Sequence, residues 1–195
     1  MIGWAERLKE WPMVDQSYNV APTTLIAAFR GDIGEAMRWG MIPSWSKSFD
    51  SKYATFNARI ETVDTKPTFR NAWNNLQRCL IPMAGYYEWV GEKGDKQPVY
   101  ITDPNTGGIV TAGLWEKWGD ESLSCTILTK SADEELLPIH PRMPVMLTPE
   151  QGEAWLTGEY ELDQPERPNV IYFPVSKVVG NTRNDSDDLI KPIDC

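Results

Sequence analysis

Short apolar stretches recur along the chain and are separated by polar residues, glycine and proline. They predict strands at 25–29, 53–60, 79–81, 86–90, 99–102, 109–114, 124–129 and 170–175. Segments 91–95 and 103–108 carry Gly, Asp, Asn and Pro, which is turn chemistry between neighbouring strands. The pattern therefore predicts a chain built mainly from strands.

Three short helices fit between these strands. The first begins near Pro67 and carries apolar residues at spacings near one and two helical turns. The second follows residues 131–134, whose sequence SADE is a capping-box pattern, and the third follows Thr148, with Pro149 in the first helical position and Gly158 at its end. Because strands outnumber helices and do not alternate strictly with them, we expect an α+β fold with a mainly antiparallel, barrel-like β core and short peripheral helices.

A length of 195 residues predicts one domain, 1–195, with an atypical N-terminal segment at 1–17 and a polar C-terminal tail at 181–195. Cys79, Cys125 and Cys195 are odd in number and scattered, which favours free thiols over a disulfide framework or a zinc site. With no apolar run long enough for a membrane span and no apolar core in a leader, we expect a cytoplasmic protein.

The net charge of −9 argues against a broad, charge-driven affinity for nucleic acid. The charge is unevenly distributed, however: residues 1–90 carry 10 Lys and Arg against 9 Asp and Glu, whereas residues 91–195 carry 9 against 19. A locally neutral or basic face is therefore compatible with an acidic protein, so charge permits a DNA site without indicating one.

Two titratable residues are candidates for acid–base chemistry. His140 is the only histidine and lies in a proline-rich loop, although a lone histidine is more often structural or exposed. Glu88 interrupts an apolar strand, and burial would raise its pKa and suit it to proton transfer. The opposite alternation, with Tyr87 and Trp89 inward and Glu88 in solvent, fits this stretch equally well.

Polar and aromatic candidates for ligand contacts lie earlier in the chain. Asn57, Arg59 and Glu61 share one face of a strand at period two, which is usually a solvated face but also allows an amide and a guanidinium to hold a phosphate or sugar. Trp45 stands in a loop, where it either fills the core or stacks on an unpaired base.

Six segments occur together in one order: YNVAPT at 18–23, RWGMIP at 38–43, NARIET at 57–62, RCLIPMAGYYEW at 78–89, IHPRMPV at 139–145 and VVGNTRND at 178–185. This series resembles the motifs of the SRAP (SOS response associated peptidase) family of abasic site processing proteins. The resemblance runs from about residue 18 to residue 193, nearly the whole chain. It implies a β-rich, barrel-like core and a cleft that takes single-stranded DNA containing an abasic site, with no metal or cofactor, in a monomeric protein.

The resemblance also implies residue roles. In the family, an N-terminal cysteine forms an imine with the abasic aldehyde through its α-amine, and its thiol then closes a thiazolidine crosslink. By motif, Asn57 would orient the sugar-derived end, Arg59 would hold a phosphate, Glu88 would serve in acid–base steps, and His140 would assist proton transfer and crosslink reversal. Three further residues would line the DNA path, namely Trp45, Arg142 and Thr129.

The chain departs from the family at its start, where MIGW replaces the expected MCGR. Either the real start lies upstream and supplies the cysteine, or this member has lost it. For the sequence as given, an α-amine without a neighbouring thiol permits a transient imine and β-elimination but not thiazolidine closure. The alternative is a single-stranded DNA-binding protein without catalysis, and proteolysis of other proteins is the least favoured function.

Overall fold

The computed structural model of the protein describes residues 4–49, 54–120, 122–160 and 167–193. Its strands are Leu25–Phe29 (β1), Gly34–Trp39 (β2), Asn57–Arg59 (β3), Arg78–Met83 (β4), Tyr86–Val90 (β5), Gln97–Thr102 (β6), Ile109–Trp118 (β7), Ser122–Ser131 (β8), Arg142–Pro144 (β9) and Ile171–Pro174 (β10). Its helices are Trp4–Arg7 (α1), Arg70–Asn74 (α2) and Pro149–Thr157 (α3), followed by 3₁₀ turns at Lys177–Gly180 and Asp187–Ile190. None of the helices in these ranges has the length and apolar character needed to cross a bilayer.

Five strands close into a barrel. In ring order β2, β1, β4, β7 and β8 pair antiparallel, and β8 then returns to β2 through parallel pairing of Arg38 with Ser124 and Trp39 with Cys125. Closure pairs the strand edges that an open sheet would leave exposed. The ten-residue β8 extends beyond the ring and also pairs with β3 and β9. The predicted mainly antiparallel, barrel-like core with short peripheral helices is confirmed.

The barrel wall is apolar on both faces, which explains why β4 reads as a continuous apolar run. Cys79 and Ile81 belong to a buried cluster with Met37 and Cys125, whereas Leu80 belongs to another cluster with Trp155 of α3. Because successive side chains of a strand point to opposite faces, the first cluster fills the barrel interior and the second packs beneath the helices.

A second, three-stranded antiparallel sheet has the order β10, β6, β5. β6 pairs with β5 on one side, where Glu88 lies opposite Val99, and with β10 on the other, where Phe173 lies opposite Tyr100. This sheet carries the Glu88 motif and holds it beside the barrel.

Local sequence rules correctly predicted α3. Thr148 accepts a hydrogen bond from the Gln151 backbone N–H, the Gln151 side chain accepts one from the Thr148 N–H, and Gly158 ends the helix in the left-handed conformation. The predicted helix after residues 131–134 is wrong. There Asp133 accepts from the Leu136 N–H and makes a turn, and the prolines at 138 and 141 cannot donate the backbone hydrogen bonds of a continuing helix.

The polar C-terminal segment is anchored to the rest of the fold by the Asn19 amide and by apolar packing. The Asn19 side-chain nitrogen lies 3.0 to 3.2 Å from the carbonyl oxygens of Val179, Asn181 and Asn184. Leu189, in the last 3₁₀ turn, is 2% exposed and packs in a cluster with Tyr100. The motifs at 18–23 and 178–185 are thus brought together by direct contact.

Candidate functional site

A cleft of about 1240 Å³ runs between the barrel and the three-stranded sheet. Its lining brings together six of the seven site residues predicted from the sequence: Asn57, Arg59, Glu88, Thr129, His140 and Arg142. The seventh, Trp45, is a described residue but does not line this cleft; it is 63% exposed on the loop after β2. Base stacking by Trp45 stays a prediction.

Three adjacent strands position one wall of the cleft. β3 pairs in parallel with β8, which places Arg59 beside Thr129, and β8 pairs with β9, which places Thr129 beside Pro144. Within β3, Asn57 and Arg59 are exposed whereas Ala58 is fully buried. Asn57 and Arg59 therefore share one face of β3 that lines the cleft, whereas Glu61, which was predicted on the same face, lies in the turn after this strand.

Glu88 and His140 form a pair in the cleft, with 3.6 Å between Glu88 Oε1 and His140 Nδ1. The Glu88 side chain is only 24% exposed, while the neighbouring Trp89 is the most exposed residue of β5. Burial raises the pKa of the Glu88 carboxyl above its ordinary value, and the nearby His140 partly offsets this. Of the two alternations left open by the sequence, the structure has the one that puts Glu88 in the site.

Backbone atoms of Arg142 hold the His140 ring. Nδ1 lies 2.9 Å from the Arg142 carbonyl oxygen and 3.2 Å from the Arg142 backbone nitrogen. One tautomer cannot satisfy both contacts, because the first requires a proton on Nδ1 and the second a lone pair. The shorter contact favours the proton on Nδ1, which leaves Nε2 as the ring nitrogen free to accept a proton.

Arg142 itself is held by Glu61 and Thr129. Its two terminal nitrogens donate to the two carboxylate oxygens of Glu61, and Nη2 also donates to the Thr129 carbonyl oxygen at 2.6 Å. The Arg142 hydrogen bond lowers the pKa of the Glu61 carboxyl. The positive charge of Arg142 is therefore largely compensated within the protein, so it is poorly available to a phosphate. The sequence indicated Glu61 as a member of the β3 face but not this partnership, which forms only when β9 lies beside β8.

Arg59 differs from Arg142 in this respect. Its side chain is exposed, and within the described ranges no hydrogen bond or ion pair engages its guanidinium. Lys9 also lines the cleft and lies 3.8 Å from Asp32. Arg59 is accordingly the cation of the described lining that is best placed to bind an anion.

Aromatic residues that sequence reasoning missed also line the cleft. Trp11 is 58% exposed, its Nε1 donates to the Leu8 carbonyl at 3.1 Å, and its ring packs edge-on against Phe29 at a centroid distance of 5.1 Å. These contacts fix the ring while leaving much of it uncovered. Trp11 lies in a loop without periodicity, so no local pattern distinguished it.

The thiols of the barrel take no part in this site. Cys79 and Cys125 are completely buried, and burial raises the pKa of both, that of Cys125 to about 12. A buried thiol with a raised pKa carries little reactive thiolate. Neither Cys79 nor Cys125 lines the cleft, so both are poorly placed to act as nucleophiles there.

Comparison with known proteins places this architecture in a family. The family model described as "SOS response associated peptidase (SRAP)" matches residues 4–182. The abasic site processing protein YoqW of Bacillus subtilis is 36% identical over 193 residues, covering 90% of this chain and 85% of its own. The abasic site processing protein YedK of Escherichia coli is 31% identical, covering 90% and 84%.

Solved structures agree with the sequence comparison. A crystal structure of a protein from Bordetella bronchiseptica has a TM-score of 0.77 and 28% identity, covering 89% of this chain and 94% of that protein. The barrel, the cleft residues and these relatives lead to one assignment: the chain belongs to the SRAP family of abasic site processing proteins.

Proposed function

We propose that this protein binds abasic sites in single-stranded DNA and reacts with them through an imine. The observation that carries the proposal is the Glu88–His140 pair, which lies in a cleft that Arg59 also lines, and the Arg59 guanidinium makes no hydrogen bond or ion pair within the described ranges. Such a site combines a proton donor and acceptor with an anion contact, which the aldehyde and phosphates of an abasic strand require.

The acid–base steps follow from the environment of Glu88. An amine adds to the C1′ aldehyde of the ring-opened sugar, and the resulting carbinolamine loses its hydroxyl as water to form the imine. The raised pKa of Glu88 increases its protonated fraction, so it can give a proton to the departing hydroxyl. His140, with Nε2 unprotonated, can accept the proton released from the amine.

The polar residues of β3 would hold the DNA around the reacting carbon. The exposed guanidinium of Arg59 suits a non-bridging phosphate oxygen, and the Asn57 amide, two residues earlier on the same face, suits a sugar hydroxyl. Aromatic side chains such as Trp11 supply surfaces for unpaired bases. An unpaired strand fits this design because its bases are free to stack on protein side chains.

The reacting amine is expected at the N-terminus, and the predictions about Met1 and Ile2 lie outside the described residues. An α-amine with an ordinary pKa of about 7.7–8.0 is partly unprotonated at neutral pH. Where a thiol adjoins it, the imine can close to a thiazolidine. Where Ile2 follows Met1, we propose that the imine either hydrolyses or undergoes β-elimination, in which the C2′ proton and the 3′ phosphate leave.

Borohydride trapping tests the proposal, because reduction converts an imine into a stable amine adduct. We expect an adduct with an abasic single strand, none with the intact strand, and reduced trapping in the variants Glu88→Gln and His140→Ala. A heat-stable adduct formed without borohydride would show that a thiazolidine closes, and would refute the proposal that the imine only hydrolyses or eliminates.

The aromatic cleft and the exposed Arg59 also favour a second candidate, a single-stranded DNA-binding protein without catalysis. Binding of abasic and intact strands with equal affinity, and no trapped adduct on either, would support this candidate over the first.

A further inference from the structure

Glu61 does not touch the Glu88–His140 pair, yet one arginine connects it to that pair. Arg142 contacts Glu61 through its side chain and His140 through its backbone. We propose that Glu61 is a positioning residue for the Glu88–His140 pair and acts by anchoring Arg142. As far as it concerns reaction rate, this inference rests on the proposed function.

The first link is the ion pair between Glu61 and Arg142. The Arg142 side chain is 19% exposed, and both of its terminal nitrogens are directed at the Glu61 carboxylate. Removing a carboxylate from such a pair leaves a guanidinium that is mostly buried and poorly compensated. The side chain would then leave Thr129 and turn towards water or the open cleft.

The second link is the position of Arg142 in the chain. It is the first residue of β9, a strand of only three residues, and it directly follows the irregular segment that contains Pro138 and Pro141. The side-chain anchor therefore lies where the loop joins the sheet. Its hydrogen bonds to Glu61 and Thr129 connect β9 to β8 and to the turn that follows β3.

The third link is the dependence of His140 on this backbone. The His140 side chain is 43% exposed, and its Nδ1 contacts are the backbone atoms of Arg142 and the Glu88 carboxylate. A shift of the Arg142 backbone therefore changes whether Nδ1 carries a proton and how the ring is oriented towards Glu88. This makes the orientation of His140 sensitive to a carboxylate that lies beyond its own contacts.

A different role for Glu61 makes the opposite prediction. If Glu61 only occupies Arg142 in place of a DNA phosphate, its removal would free a cation for DNA. Affinity for an intact single strand would then rise, and the reaction rate would not fall.

The single histidine allows a direct test by NMR in untagged protein. The ¹⁵N resonances of one imidazole report the tautomer of His140, with Glu61→Gln as the test and Glu35→Gln as the matched control. Glu35 also receives two hydrogen bonds from one arginine, Arg30, but neither residue lines the cleft. We expect Glu61→Gln to shift the His140 resonances and Glu35→Gln to leave them at wild-type positions.

Unchanged His140 resonances in a folded Glu61→Gln protein would overturn the inference. Should that variant fail to fold, Glu61→Asp keeps the charge and shortens its reach by one methylene. It is expected to shift the same resonances by a smaller amount, and wild-type resonances in Glu61→Asp would count against the anchor.

Single-turnover borohydride trapping measures the consequence for the reaction. Displacing a reacting group by about 1 Å costs up to about 100-fold in rate, so we expect Glu61→Gln to slow trapping at least about tenfold. The rate is measured at saturating DNA, so that a change in affinity from the uncovered Arg142 does not enter the comparison, and Glu35→Gln should match wild type. Equal rates for the two variants, or tighter binding by Glu61→Gln without loss of rate, would overturn the inference. If wild type itself forms no adduct, the proposed function fails, and the His140 resonances alone decide whether Glu61 positions the ring.

Discussion

The affinity of this protein for single-stranded DNA should depend only weakly on salt. Among the described residues that line the cleft, Lys9, Arg59 and Arg142 are the permanent cations, and Glu61 already compensates Arg142. One or two phosphate contacts remain. For a single strand, they predict that the logarithm of the association constant falls with the logarithm of the salt concentration with a slope of about −0.7 to −1.4. Raising the salt from about 50 to about 200 mM should then weaken binding only about three- to sevenfold.

Fluorescence anisotropy with a labelled abasic analogue across a series of KCl concentrations measures this slope. Arg59→Gln should make the slope shallower by about 0.7, because it removes one phosphate contact. Arg30→Gln is the matched control, since Arg30 is paired with Glu35 and does not line the cleft. The negative net charge of the chain also makes the salt dependence shallower, because salt screens the repulsion between the protein and DNA.

A slope steeper than about −2 would refute this reasoning, since it would require more phosphate contacts than the described cleft cations supply. A shallow slope that Arg59→Gln leaves unaltered would also contradict it, because the phosphate contact would then lie elsewhere.

Four further variants have an expected outcome. Glu88→Gln should abolish most trapping yet raise the melting temperature at neutral pH, because the raised pKa of Glu88 means that its ionised form opposes folding. The difference in melting temperature from wild type should disappear below about pH 4, where the carboxyl is protonated in both the folded and the unfolded chain. Ile2→Cys should create a heat-stable adduct with an abasic strand on denaturing gels, provided that the initiator Met is removed, because a thiol then adjoins the α-amine. Asn19→Asp should lower the melting temperature markedly, because it sets a carboxylate against three carbonyl oxygens. Thr148→Ala should lower the free energy of unfolding by about 1 kcal/mol, because it removes the cap of α3. Equal stability of Asn19→Asp and wild type in thermal unfolding would contradict the anchoring of the C-terminal segment.

Local chemistry determined those parts of the fold that depend on neighbours in the chain. The bounds of β1 and β5 follow from short apolar runs, and α3 follows from its capping box and terminal glycine. The strand β2 escaped prediction because Glu35 and Arg38 interrupt its apolar alternation, and its pairing with β1 and β8 supplies the stability that its own pattern lacks.

The sequence by itself also determined which residues were candidates, because residue type and motif order do not depend on folding. Only the tertiary structure decided what each candidate does. It turned Glu88 into the cleft beside His140, left the Arg59 guanidinium without a hydrogen bond or ion pair in the described ranges, and compensated Arg142 with Glu61. The physical reason is that burial and charge pairing arise between strands far apart in the chain, here β3, β5, β8 and β9, and no local pattern encodes which of their side chains will meet.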